Sequence, residues 1–414
     1  MFDDAIDRGL VNSWPGCSIL ALVIGGTCSR RMHRQSERRT KYFDSAAARS
    51  GVFYACPFYR SPENPMSIDP AAAQHPSNSR CVSVFGAYGH TGRFTVAHLL
   101  ARGWEPILVG RDAAKLAALA QDFPGLEQRV ATVDDPASLD RALEGAVAVL
   151  NCAGPFSESG GPLIEAALRA RIHYLDTAAE QQPVIAAFER YHDAAVQAGV
   201  AVIPAMAFYG GLADLLATAA VGDEAGADAI DIAIALDSWH PTAGTRLTGQ
   251  RNTARRLVIG GGALQFLADP APTREWTFAA PFAKQDVVAL PFSEIPLIAR
   301  HLRVAEVHSY LNLTPLKDLR DPATPPPVAA DAHGRSAQRF AIEVEVRGGE
   351  RRHRVAAQGQ DIYAVTAPLL VEALERIVDG RRRGDGVIAP GQAFDAADFL
   401  RALAPDYLGL GGLD

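Results

Sequence analysis

Three glycines at a spacing of three, Gly86, Gly89 and Gly92, stand between a short apolar run and an apolar-periodic one. A nucleotide pyrophosphate needs that pattern. Gly86 lets a chain turn off a strand, Gly89 presents bare backbone to phosphate, and Gly92 lets the next helix pack close. The helix N-terminus then offers free N–H groups and the positive end of its dipole. The stretch Gly86-Ala87-Tyr88-Gly89-His90-Thr91-Gly92 is therefore the candidate dinucleotide site. The next apolar run ends Val109-Gly110-Arg111-Asp112. NAD sites place an acid there for the ribose 2′-OH. Here a glycine holds that position and Arg111 follows, and a guanidinium pairs with a 2′-phosphate where an aspartate would repel it. NADP is expected over NAD, with Asp112 read as a helix cap and Arg93 and Lys115 as solvated charges near the phosphate pocket.

A second group lies at Asn151-Cys152-Ala153-Gly154-Pro155-Phe156, at the end of another apolar run. Ala153 and Gly154 are small enough for a nicotinamide ring to approach the backbone, with Pro155 and Phe156 as a wall. Cys152 reads as a buried apolar residue, because no basic neighbour is present to make a thiolate. A carbonyl or imine substrate also needs a proton donor. The candidates are Asp176 and Glu180, just past a strand end, and Tyr209, where the Rossmann half gives way to the second half; His240 ranks below them, and Gln250, Arg251 and Asn252 are read instead as a contact for a substrate carboxylate, with a solvated helix charge the alternative for Arg251. None of Lys41, Lys115, Lys284 or Lys317 follows a tyrosine by four residues, which excludes a Tyr-x-x-x-Lys pair.

These residues imply elements to hold them. Strands are expected over 81–85, 106–109, 129–133, 147–151, 173–175 and 200–204, alternating with helices over 91–101, 112–122, 136–143, 161–169 and 182–197. Strands alternating with helices imply a parallel sheet covered on both faces, a Rossmann doubly wound domain over 81–208. Beyond 208 the rhythm changes. A helix is expected over 210–220 and a period-two strand over 229–236. Further strands are expected over 275–279, 287–289 and 304–310, with a hairpin of 340–347 and 352–357 turning at Gly348-Gly349. These make a second α/β domain, 209–360, with a mainly antiparallel sheet. Helices over 363–378 and 395–404 complete a C-terminal segment, 361–414.

The chain of 414 residues is 48% hydrophobic and 21% charged with net charge −7, which does not suggest a nucleic-acid or anionic-membrane partner; a small-molecule substrate is expected. The five cysteines show no CxxC, so no metal site or disulfide framework is expected, and the cytoplasm fits. The longest apolar run, 17–27, is too short to span a membrane. Residues 1–65 stand apart: Leu20 to Gly26 imitates a strand and glycine turn, but a basic cluster follows where a helix should. The expectation is a disordered or untranslated extension, a start at Met66 and a polar leader over 66–80.

The motifs GAYGHTGR, VGRD, NCAGPF and HYLDTAAE, in that order, resemble the saccharopine dehydrogenase-like oxidoreductases, which include saccharopine reductases and trans-acting enoyl reductases. The stretches Gly359 to Tyr363 and Gly386 to Gly391 extend the resemblance to the C-terminus. It implies an NAD(P)-binding Rossmann domain and a second domain giving substrate contacts and a homodimer surface. It also implies C-terminal helices that return to the first domain. Ala207-Phe208-Tyr209-Gly210-Gly211 departs from the Gly-Phe-Asp turn of the enoyl-reductase branch. The expected function is hydride transfer between nicotinamide and a C=O, C=N or activated C=C of a small molecule. The alternatives are a non-catalytic NADP(H) sensor and a reductase of enoyl-reductase type acting on a lipid.

Overall fold

The structure is a computed structural model that describes residues 79–224 and 226–413. The stretch 20–26, the start at Met66 and all of the leader but Ser79 and Arg80 lie outside the described residues.

The first half alternates without a break. Its elements are β1 (Cys81–Phe85), α1 (His90–Ala101), β2 (Glu105–Gly110), α2 (Ala113–Asp122), β3 (Gln128–Val130) and α3 (Pro136–Leu143). Then come β4 (Ala148–Asn151), α4 (Phe156–Ala170), β5 (His173–Asp176), α5 (Gln181–Ala198) and β6 (Ala201–Ile203). The central strands carry apolar residues on both faces because helices cover both. A kinked turn, Phe208–Leu212, with non-helical dihedrals at Tyr209 and Gly210, and α6 (Ala213–Val221) lead out. The second half holds β7 (Ala227–Leu236), α7 (Ala243–Arg251), β8 (Leu257–Gly260), β9 (Ala263–Phe266), β10 (Thr273–Thr277) and β11 (Lys284–Ala289). It continues with α8 (Glu294–His301), β12 (Val304–Asn312), α9 (Thr314–Arg320), β13 (Arg339–Gly348) and β14 (Arg351–Gln360). The tail supplies α10 (Thr366–Val378), β15 (Gly386–Val387), α11 (Pro390–Ala393), α12 (Ala396–Ala402) and β16 (Gly409–Gly411).

Two sheets result. The first has the order β15-β6-β5-β4-β1-β2-β3, and every pair in it is parallel. The second runs β10-β11-β12-β7-β13-β14-β16, with β8 and β9 beside β12. It is mostly antiparallel, but its central pair β7 and β12 is parallel. The tail belongs to both sheets. β15 closes the edge of the first, β16 adds to the second, and α10 packs on α1, where Arg102 and Trp104 donate to Glu375 at 3.2 Å.

Several local expectations shift. The helix expected from 161 begins at Phe156, because the Phe156 N–H donates to Glu180 Oε1 across the crevice and so caps the helix from outside. The third strand ends at Val130, since it is an edge strand paired only to β2. The helix expected over 210–220 breaks into the kinked turn and α6. A Cβ on Gly210 would stand 2.6 Å from both Ala205 O and Ser293 Oγ, so only glycine passes there. The helices α7, α8, α9 and α11 and the strands β8, β9, β15 and β16 have no counterpart among the expected elements.

Candidate functional site

The glycine turn is built by backbone contacts. Gly86, at φ +82°, and Ala87 both donate N–H to Val109 O at the end of β2, at 2.9 and 3.2 Å. Gly89 N–H returns to Gly86 O at 2.9 Å, and α1 starts at His90 with no side chain capping it. Its first N–H groups stay open to an anion. A Cβ on Gly92 would lie 2.3 Å from Gly86 O and 2.9 Å from Ala87 O, so the helix rests directly on the turn. At the end of β2 the Tyr88 ring covers Gly110, where a Cβ would come within 2.4 Å of Tyr88 Cε1. Lys115 Nζ stands 5.7 Å over that ring. Arg111 is exposed beside them and makes no hydrogen bond or ion pair among the described residues. Asp112 caps α2 through Lys115 N–H at 3.1 Å, while Arg93 is spent on Asp122 at 2.6 Å. An open helix end, bare backbone and an uncommitted guanidinium fit a dinucleotide bearing a 2′-phosphate.

Beside the turn, the end of β4 is pinned from within. Asn151 is fully buried. Its Oδ1 accepts from Ala153 N–H, and its Nδ2 donates to Ser159 Oγ and to Tyr174 OH, all at 3.1 Å. Ser159 Oγ donates to Ala153 O at 2.6 Å. Tyr174 OH donates to Asp176 Oδ2 at 2.9 Å, and Asp176 Oδ1 accepts from Ala178 and Ala205 N–H at 2.9 and 2.7 Å. The last bond holds Ala205 in the left-handed region, at φ +56°. Glu180 accepts Phe156 N–H on one oxygen and Ala179 N–H on the other, both at 3.1 Å. Burial pushes Asp176 and Glu180 above the usual carboxylate range, against the pull of these N–H groups. Asn151, Asp176 and Glu180 thus hold loops, and Ala153 and Gly154 are the partly exposed surface those loops present. Pro155 and Phe156 turn inward, Phe156 into the core under the sheet. Cys152 packs on Thr95 Oγ1 at 3.6 Å, and burial pushes its thiol up to about 12.

The second half supplies a wall. Ser293 Oγ donates to Ala178 O and Tyr209 O at 3.0 and 3.1 Å, and Gln181 Nε2 donates to Leu257 O and Phe292 O at 2.9 and 3.0 Å. These latches bring the Tyr209 ring into stacks with Phe292 and Trp239, at centroid distances of 4.1 and 5.5 Å. Trp239 Nε1 donates to Tyr363 OH at 3.0 Å, and Thr245 Oγ1 of α7 lies 2.9 Å from the same hydroxyl. The Tyr363 ring meets His90, on the glycine turn, edge-on at 5.3 Å. A chain of aromatic and polar groups therefore runs from the turn into the second half. At its far end Arg256 lies 4.8 Å over Phe292 and donates to Pro291 O. Glu294 Oε1 accepts Phe292 N–H at 2.9 Å. Burial pulls Arg256 down to about 10 and raises Glu294. The helix α7 spans this region: Thr248 Oγ1 would be 2.8 Å from a Cβ on Gly154, and Arg251 pairs with Glu158 on α4.

His240 is half-buried next to Trp239 and makes no hydrogen bond among the described residues. Sequence reasoning missed Arg256, Glu294 and Thr245, and it met Tyr363 only as part of the stretch before the long helix. Nothing in their local sequence marks them, since four separated segments bring them together.

The parallel sheet, the glycine turn and the second mixed sheet define a two-domain dinucleotide-binding protein. The family described as saccharopine dehydrogenase NADP binding domain matches residues 82–203, so the chain carries that domain and NADP is its dinucleotide. The chain is 31% identical over 150 residues to a saccharopine dehydrogenase-like oxidoreductase of Bos taurus, a match covering 32% of this chain and 35% of that protein. It is 29% identical over 136 residues to a trans-acting enoyl reductase of Mycobacterium ulcerans, covering 31% and 32%. The chain thus matches about a third of the length of these relatives. Saccharopine dehydrogenase (L-Glu forming) of Saccharomyces cerevisiae, solved in its apo form, has the same fold, with a TM-score of 0.57 at 13% identity over 80% of this chain and 99% of that one. Among the described residues no helix is long and apolar enough to cross a membrane.

Proposed function

We propose that the protein is an NADP-dependent oxidoreductase. It moves a hydride between the nicotinamide and a C=O, C=N or activated C=C of a small molecule. One observation carries the reading: the uncapped start of α1 and the partly exposed Ala153-Gly154 surface face a wall of aromatic and polar side chains contributed by the second half. NADPH, when bound, supplies the hydride. The chain's own residues do the rest. The N–H groups at His90 and Thr91 take the pyrophosphate, and Arg111, with Tyr88 and Lys115 beside it, takes the 2′-phosphate. Asn151, Asp176 and Glu180 fix the loops against which the ring would lie. The latches through Ser293 and Gln181 hold the substrate wall in register and keep water out. We assign cofactor binding to 81–208 and substrate contacts to 209–360, and we read the compartment as cytoplasmic.

The test has two stages. Fluorescence titration with NADPH and NADH should show tight NADPH and weak NADH, and binding of neither would end the reading. Stereospecific deuteride transfer from labelled NADPH to keto, imine and enoyl compounds should then follow. Binding without transfer to any of them would favour the sensor instead.

A further inference from the structure

We propose that the Tyr209 hydroxyl is the proton donor of the reaction and that the group it serves is a carbonyl, with Arg256 and Glu294 behind it. The inference deepens the reading above and rests on it. Tyr209 is 7% exposed, and its hydroxyl oxygen is buried with no hydrogen-bond partner among the described residues. A buried hydroxyl left unpaired is costly and calls for an explanation, such as a bound molecule that completes the pair. The ring has no freedom to turn the hydroxyl elsewhere: Phe292 and Trp239 stack on it and Phe208 meets it edge-on at 4.9 Å. The backbone is equally fixed, since Tyr209 sits at a kink with non-helical dihedrals, φ −81° and ψ 62°, between two helical pieces. Ser293 Oγ holds its carbonyl, and the Gly210 that follows admits no side chain. Asp176, through Ala205, fixes the approach to that turn.

The surroundings match the role. Tyr363, Glu294 and Arg256 are the ionisable groups whose charges act on the Tyr209 hydroxyl. Tyr363 stands toward the glycine turn, in edge contact with His90. Glu294 and Ser309 are buried together, and Ser309 is a hydrogen-bond partner of the Glu294 carboxyl, so the carboxyl is held in place behind the aromatic stack.

The step balances with NADPH as reductant. As hydride reaches the carbonyl carbon, a C–H bond forms and the C=O π pair moves onto oxygen. The Tyr209 O–H bond breaks and its proton completes the alcohol. The phenolate left within the field of the Arg256 cation is reprotonated from solvent. Burial holds the Tyr209 phenol well above its ordinary value, so it carries its proton throughout the neutral range. Only a strong base takes that proton readily. The alkoxide that forms as hydride reaches a carbonyl is such a base. An imine must instead be protonated before hydride arrives, and its nitrogen is too weak a base to draw the proton from this phenol, so we assign a carbonyl.

The experiment uses the full chain with NADPH and with benzaldehyde, decanal and cyclohexanone as carbonyl probes. Tyr209→Phe keeps the stacked ring and removes only the hydroxyl. The expected result is NADPH affinity unchanged, a melting temperature equal to wild type or a few degrees higher because an unpaired buried hydroxyl is gone, KM for the reduced probe within about threefold, and turnover at saturation lower by roughly 100-fold or more. Wild-type turnover in Tyr209→Phe overturns the proposal. So does an equal loss of NADPH affinity, which would make the hydroxyl part of the cofactor site. Wild type that binds NADPH but reduces none of the carbonyl probes also overturns it, whereas failure to bind NADPH at all strikes the underlying reading first.

Discussion

Gly92 is the most exacting position in the site, and Gly92→Ala tests the geometry directly. The added methyl would sit 2.3 Å from Gly86 O, 2.9 Å from Ala87 O and 3.0 Å from Ala87 C. All three are backbone atoms, and Gly86 and Ala87 are themselves tied to β2, so no side chain can swing aside. The start of α1 must rise by about 1 Å to restore van der Waals distance. Overpacking of this kind costs about 1–3 kcal/mol, and rigid obstacles place Gly92→Ala near the upper end. At roughly 2 °C per kcal/mol for a chain of this size, the melting temperature should fall by about 6 °C. Binding should suffer more. The same rise withdraws the α1 N–H groups from the pyrophosphate, and losing one charge-assisted bond of about 2–3 kcal/mol already weakens NADPH roughly 30- to 150-fold. The assay pairs thermal unfolding with an NADPH fluorescence titration. Gly161→Ala on α4 is the control, because its methyl meets only the Tyr191 hydroxyl, at 3.1 Å. It should be neutral, or stabilising by up to about 1 kcal/mol, with affinity unchanged. A Gly92→Ala protein that melts and binds like wild type would refute the reasoning, as would a Gly161→Ala protein that fails equally.

Arg111→Ala should weaken NADPH about tenfold and leave NADH unchanged, the lower end for a charged contact because the site is solvent-exposed; equal losses for both would remove Arg111 from the 2′-phosphate. Glu180→Gln can satisfy only one of the Phe156 and Ala179 N–H groups, so about 1–3 kcal/mol of stability should go. An unchanged unfolding midpoint in urea would show that the carboxylate does not hold the loop. Burial raises the Glu294 carboxyl above its unfolded value of 4.5, so its contribution is full below that value and is lost as pH rises through the raised one. Glu294→Gln should therefore gain on wild type in melting temperature at neutral pH and lose that advantage toward pH 4, and parallel pH curves would contradict the assignment.

The glycine turn was legible because its residues do backbone work within a dozen positions. The strand before it, the glycines and the helix after it are local, so order and spacing carry the geometry. Six of the seven strands of the first sheet were legible for the same reason, since each and its covering helix are neighbours in the chain; the seventh, β15, arrives from the tail and carries no local signal. The second half was less so. The helix α7 buries no residue, so it has no apolar stripe to read. The helix α8 has eight residues with Pro296 among them, too short for a period to show. The parallel pairing of β7 with β12 joins strands some seventy residues apart, and only folding reveals that it places Trp239 near Phe292 and Arg256. Tyr363 reaches the glycine turn because the tail returns across both sheets.

Residue type alone ranked Asp176 and Glu180 with Tyr209 as proton donors, and their hydrogen bonding separates them. A surface that admits a cofactor ring must expose bare backbone, as Ala153 and Gly154 do, and the N–H groups around it still need partners. Buried carboxylates meet that need at short range. Asp176 and Glu180 accept in-chain donors on both oxygens, and Asn151 has spent both N–H donors as well as its carbonyl. Groups so committed set the position of a reacting molecule without exchanging protons with it. A group that acts on a transient partner shows the opposite signature before that partner arrives: burial, a locked orientation and an unmet hydrogen bond. Tyr209 has all three. His90 has an unmet Nε2, with its ring held between Phe94 and Tyr363, and so belongs with the groups awaiting a ligand. Saturated groups pin the loops beside β4, while the unmet ones, His90 at the start of α1 and Tyr209 after β6, are the side chains with a hydrogen bond left to make.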